Sequence, residues 1–212
     1  MRYANDEAGF ETGGFSQRVL RAPVAEHANE SADELLYVLA GSGMAKIAGE
    51  AHDLAPGTAA YVPRGVTWSA DGGATLLSVL VHEPAEPGDC AVVDLTAVEQ
   101  DTATAGRQFV LGPPCPSATQ FIGLIPPGRA PDHFHTYDEV IYVLEGEGVL
   151  EIEGRAVPLR TGTCVHLPAR LVHCLANTSA AEMRVLGVFR PAGSPAEAYY
   201  PDGTPAVVPE RS

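Results

Sequence analysis

The chain has 212 residues, a formal net charge of −14 and a sequence pI near 4.8, with 45% hydrophobic residues, 22 Gly and 18 Pro. That length buries a core as one large domain or two small ones. The acidic balance argues against nucleic acid, whose phosphates need Lys and Arg to replace counterions, and against anionic membrane surfaces.

In chain order, the opening "MRYANDEAGFETGG" is acidic and lacks the apolar core of a signal peptide. No apolar run reaches the ~20 residues of a membrane helix, so a cytoplasmic location is expected. "ELLYVLAGSGMAKIAG" (34–49) reads as short β-rich runs broken by Gly pairs, which predicts hairpins. "TAAYVPRGVTW" (58–68) is a strand stopped at Pro63, because proline removes a ladder donor. "EPAEPGD" (83–89) reads as a loop, and "LTAVEQDTA" (95–103) is the one segment with a helical look, placed as a linker. "TQFIGLI" (119–125) predicts a strand with Gln120, Ile122 and Leu124 lining one face, Phe121 and Phe134 being assigned to packing. "EVIYVLEGEGVLEIEG" (139–154) and "TCVHLPARLVHCLAN" (163–177) return to the hairpin and Pro-broken patterns. The Pro-rich tail "RPAGSPAEAYYPDGTPAVVPERS" is expected to run extended over the other half or a neighbouring subunit, or to stay loose, with Tyr199 and Tyr200 as anchors. Cys90, Cys115, Cys164 and Cys174 form no C-x-x-C pair and read as free thiols.

The chain repeats itself. Sliding it by 105 residues, the separation of Glu34 from Glu139, superposes Tyr37-Val38-Leu39 on Tyr142-Val143-Leu144. Gly41, Gly43, Gly49, Gly57 and Pro63 fall on Gly146, Gly148, Gly154, Gly162 and Pro168 without a gap. The period is the size of a small domain. Two all-β units are expected, 1–98 and 99–212, each a sandwich or barrel.

Only the second copy carries chemistry. His133 and His135 are two apart, so on a strand they share a face; Glu139 opens the next run and His173 comes from a distant strand. Three imidazoles and a carboxylate fill four positions of an octahedron and suit Fe(II), Mn, Ni, Co, Cu or Zn rather than Ca. In the first copy the offset puts Ala28, Glu30, Glu34 and Trp68 at these places; a one-residue shift brings in His27 and Asn29. Trp68 offers only an N–H donor, so this copy is expected to hold no metal, with Trp68 and Tyr61 filling its interior.

These spacings resemble the cupin superfamily. "GRAPDHFHTYDEVIYVLEG" is similar to the family's first motif, with one spacer residue fewer after Gly128. "GTCVHLPARLVHCLAN" is similar to its second, with Arg170 where glycine is usual. The resemblance implies a bicupin of two tandem double-stranded β-helix (jelly-roll) barrels. It implies one divalent transition metal per chain, Fe(II) or Mn(II) favoured, held by His133, His135, Glu139 and His173.

The favoured activity is an Fe(II)- or Mn(II)-dependent dioxygenase or related oxidoreductase acting on a small anionic molecule. A metal Lewis-acid isomerase, lyase or hydrolase, and a non-catalytic ligand-binding cupin, stay open. Glu139 and His166 are the candidate proton acceptors. Arg129, Arg170, Gln120 and Tyr137 are candidates to meet substrate, the arginines because they pair bidentately with carboxylates. A small-molecule partner is expected, no nucleic acid or membrane, and a homodimer is left open.

Overall fold

The computed structural model describes residues 4–5, 9–103 and 107–206. They are all-β, with no helix among them. The strands in chain order are β1 (Ala4–Asn5), β2 (Phe15–Arg21), β3 (Val24–His27), β4 (Ala32–Ala40), β5 (Gly43–Ile47), β6 (Glu50–Leu54), β7 (Thr58–Val62), β8 (Trp68–Gly72), β9 (Thr75–His82) and β10 (Ala91–Asp94). They continue with β11 (Asp101–Thr102), β12 (Gln108–Leu111), β13 (Thr119–Ile125), β14 (Asp138–Glu145), β15 (Glu147–Ile152), β16 (Arg155–Arg160), β17 (Cys164–Leu167), β18 (His173–Asn177) and β19 (Met183–Arg190). No helix is long and apolar enough to cross a membrane.

The described residues form two compact units, one of 9–98 with 111–120, the other of 4–5, 99–103, 107–110 and 121–206. The sequence reading splits the chain between 98 and 99; two short segments depart from that split. β1 pairs antiparallel with β17, which ties the N-terminus to the second unit. Segment 111–120 is held in the first unit by Ser117, whose hydroxyl donates to the buried Asp33 carboxylate at 2.7 Å.

The first unit stacks a five-stranded sheet (β10-β7-β4-β9-β2) on a four-stranded one (β3-β8-β5-β6). The second has a seven-stranded sheet (β1-β17-β14-β19-β13-β12-β11) and a three-stranded one (β16-β15-β18). These sheets have edges and do not close into barrels. Each core lies between its two sheets: Leu36, Val38, Ile47, Trp68 and Leu76 in one unit, Ile141, Val143, Leu150, Val165 and Val185 in the other.

The internal repeat survives to single-residue register. Glu34 stands opposite Val62 and Leu80, Glu139 opposite Leu167 and Phe189. A bulge interrupts β4–β9 between Val38 and Ala40 and β14–β19 between Val143 and Glu145, the same place in both copies. The β5–β6 and β15–β16 hairpins turn on Ala48-Gly49 (φ 51° and 87°) and Glu153-Gly154 (φ 49° and 73°). Two residues of positive φ match the twist of the flanking strands. Pro63 and Pro168 fall just past the ends of β7 and β17, where no ladder donor is lost.

Two expectations are corrected. Segment 95–103 is not helical: Asp94 takes the Thr96 N–H and O–H on one carboxylate oxygen, a local turn that competes with helix, and β11 follows. The tail as far as Ala206 lies on its own unit, with Phe134 and Tyr199 bridged through their backbones and their rings stacked 5.6 Å apart. Residues 207–212 lie outside the described part.

Candidate metal centre

His133 and His173 are opposed across a bridge closed by two hydrogen bonds, His133 N–H to His173 C=O at 3.1 Å and the reverse at 2.9 Å. Opposed residues on paired strands put their side chains on one face, and His135, two positions on, returns to it. The three rings sit 4.7–5.3 Å apart by centroid. One nitrogen from each lies within 4.8 Å of the others, a set that does not extend to the Glu139 carboxylate.

Every Nδ1 of the trio faces a backbone carbonyl: Pro131 for His133 at 3.0 Å, Glu197 for His135 at 2.7 Å, Leu171 for His173 at 2.8 Å. A carbonyl only accepts, so each Nδ1 carries the proton and each Nε2 keeps its lone pair. Burial holds all three rings neutral. The His133 and His173 pKa values are lowered, and that of His135 is pushed down to about 3, with neighbouring imidazoles adding to the effect at His135 and His173. Three converging neutral imidazoles with second nitrogens anchored are the donor set of a divalent transition-metal site.

Glu139 lines the same cavity, of about 70 Å³. Burial pushes its carboxyl up to about 8, against the pull of the Arg107 guanidinium. A Cβ at Gly187 would come within 3.0 Å of Glu139 Oε1 and 2.3 Å of the Phe121 ring, so this strand approaches the carboxylate closely only as glycine. Tyr137 is stacked between His135 (4.6 Å, 9°) and Phe189 (3.9 Å, 17°), fixing the His135 ring plane.

Four candidates lie elsewhere. Arg129 is held outside the cavity by Asp132 and Glu151, each 2.6 Å from Nη2. Arg170 occupies the left-handed region (φ 65°), the conformation that explains glycine at this motif position, and faces the same outer groove as Arg129. Gln120 is buried in the first unit with Nε2 towards Leu36 C=O at 3.4 Å; Phe121, Gly123 and Ile125, together with Leu124, line the cavity. Phe121, assigned to packing in the sequence, is therefore a cavity residue. His166 alternates with the core residues Val165 and Leu167 and pairs with Asp138 at 2.8 Å. Its counterpart in the first copy is Tyr61, bonded to Asp33 at 3.1 Å, so the pair is an element of the repeat, not of the cavity.

Sequence reasoning missed Arg107, which precedes β12 and lines the cavity, and the Glu197 carbonyl, a backbone group with no sequence signature.

In the first copy His27 is paired with Trp68 as His133 is with His173, and its Nδ1 faces the carbonyl two residues back, Ala25, at 2.9 Å. The one-residue shift is thus the structural one, and Asn29 takes the place of His135. Glu34 is surrounded by donors: Asn29 Nδ2 at 2.7 Å, Trp68 Nε1 at 2.8 Å, Ser78 Oγ at 2.5 Å, and Arg18 at 3.8 Å. Trp68 therefore does more than fill space.

Residues 121–189 match the family model described as Cupin domain. Over 101 residues the chain is 31% identical to the polyketide synthase CurC of Streptomyces cyaneus, covering 45% of this chain and 66% of that protein, just under two thirds of its length. A glyoxylate-induced protein from Pseudomonas aeruginosa is similar in fold (TM-score 0.72, 19% identity, 83% of this chain and 74% of that one). So is the Mn(II)-containing oxalate decarboxylase of Bacillus subtilis (TM-score 0.69, 15% identity, 85% and 70%). At these identities the structural likeness is one of fold.

Proposed function

From a cupin domain at 121–189, we propose a two-copy cupin, or bicupin, that binds one divalent transition metal per chain, in its second copy only. His133, His135 and His173 supply Nε2 lone pairs and Glu139 the fourth ligand. The observation that carries this is the set of three Nδ1–carbonyl contacts, which leaves three Nε2 lone pairs free to accept a cation. Desolvation disfavours the proton.

A metal bound there supplies Lewis acidity and, when it is Fe(II) or Mn(II), one-electron chemistry. The chain's own part is orientation and exclusion of water. Phe121, Leu124, Ile125, Leu167 and Val185 wall the cavity, and Pro195 and Ala198 of the tail help to enclose it. Three neutral imidazoles and one carboxylate leave a bound divalent ion with net positive charge, which favours a small anionic substrate. We favour a dioxygenase-like oxidoreductase.

A second reading, metal Lewis-acid isomerisation, decarboxylation or hydrolysis, draws on Glu139 standing outside the close histidine set, where a carboxylate left unligated acts as a base. The metal-containing decarboxylase among the fold relatives is consistent with it. A location in the cytoplasm belongs to the same reading, supported by four free thiols. Oxygen uptake by Fe(II)- and Mn(II)-loaded protein with a panel of small enolates and carboxylates separates the two. Uptake stoichiometric with product supports the oxidoreductase; turnover without uptake replaces it with the Lewis-acid enzyme; stoichiometric retention without turnover leaves a binding protein.

A further inference from the structure

Arg107 is a second cation source in the cavity that the metal site does not use. It lines the cavity with the three histidines and Glu139. The side chain is partly buried. A guanidinium has five N–H donors. One is recorded in use: Nη2 donates to the Leu175 carbonyl, which pins the group against β18, beside His173. Among the described residues no carboxylate lies within 4.0 Å of it. A partly buried cation with no carboxylate in contact gains from an anion that enters to pair with it. Glu139 does not fill that role once its charge is directed at the metal. Arg107 also borders a second pocket, of about 110 Å³, with Pro126, Pro127, Gly128 and Arg129, so it stands between the cavity and the Gly128 loop.

Resting on the metal reading above, we propose that Arg107 is the anion-binding residue of this cavity. It takes the carboxylate of a small organic acid whose remaining atoms face the three imidazoles. The cavity, of about 70 Å³, has room for a small organic acid. Planar fork geometry makes arginine the side chain suited to a carboxylate, and lysine a poor substitute.

The test uses wild type, Arg107→Gln and Arg107→Lys, each checked for folding by thermal melting and for Co(II) content by mass spectrometry. Acetate and its neutral analogue acetamide are titrated into each by calorimetry. Wild type is expected to bind acetate at least tenfold tighter than acetamide. Arg107→Gln should lose roughly tenfold or more in acetate affinity and leave acetamide unchanged, the scale of one charge-assisted bond. Arg107→Lys should fall between. Acetate binding to folded Arg107→Gln as tight as to wild type overturns the proposal. Where Arg107→Gln does not fold, unchanged acetate affinity in Arg107→Lys overturns it instead. Absence of Co(II) from wild type contradicts the metal reading alone, and the acetate–acetamide comparison still decides the role of Arg107.

Discussion

Glu34 and Glu139 occupy the same register position in two copies of one element, and both side chains are buried. Their surroundings are opposite. Glu34 meets donors in Asn29, Trp68 and Ser78, with Arg18 close by. Glu139 shares its space with three imidazoles whose free lone pairs accept rather than donate. A buried carboxylate needs positive charge or hydrogen-bond donors. The first copy provides donors. The second copy keeps about 70 Å³ open and arranges ligands instead. Serine in the first copy and glycine in the second mark the same divergence: Ser78 and Gly187 face Leu36 and Ile141 at matching positions, and only the serine supplies an O–H. Such a pair teaches that the shared glutamate is a framework residue, and that its neighbours decide between hydrogen bonding and metal binding.

The largest effect expected is from making the second copy resemble the first. His173→Trp should abolish metal retention, a loss of more than about a hundredfold in affinity for one of three imidazole ligands, read by metal content after dialysis. The reverse exchange, Asn29→His with Trp68→His, builds a second trio with His27. It should raise metal content towards two equivalents at a cost in stability of about 3–5 kcal/mol for the lost indole, read by melting with and without metal. Glu34→Gln turns one acceptor into a donor facing donors, and should cost about 2–3 kcal/mol with metal content unchanged. Tyr199→Ala loosens the tail that delivers the Glu197 carbonyl to His135; metal affinity should fall by roughly tenfold. His166→Asn breaks the bond to Asp138 and should cost about 1 kcal/mol, metal affinity unaltered. An effect of His166→Asn on metal binding would contradict its placement outside the cavity.

The repeat and its hairpins are readable from the chain because Gly and Pro punctuate short β-rich runs at matched positions, and backbone conformation enforces those residues locally. The histidine trio is readable for the same reason: strand periodicity puts His133 and His135 on one face. The phase of β13 is a different matter. Alternation separates Gln120 from Phe121, and only the packing shows that Phe121 faces the cavity. Arg107 reaches the site from the position before β12, which no motif spacing marks. The Glu197 carbonyl is invisible because any residue provides one. Asp33–Tyr61 and Asp138–His166 share the repeat offset, which favours a structural pair.

The central claim is that one copy of the repeat holds a metal and the other does not. Metal content of wild type and of His173→Ala, measured by mass spectrometry on tag-free protein after incubation with each candidate ion, tests it most directly. The account predicts close to one equivalent per chain in wild type and none in His173→Ala. Close to two equivalents in wild type, or none with any ion, would contradict it.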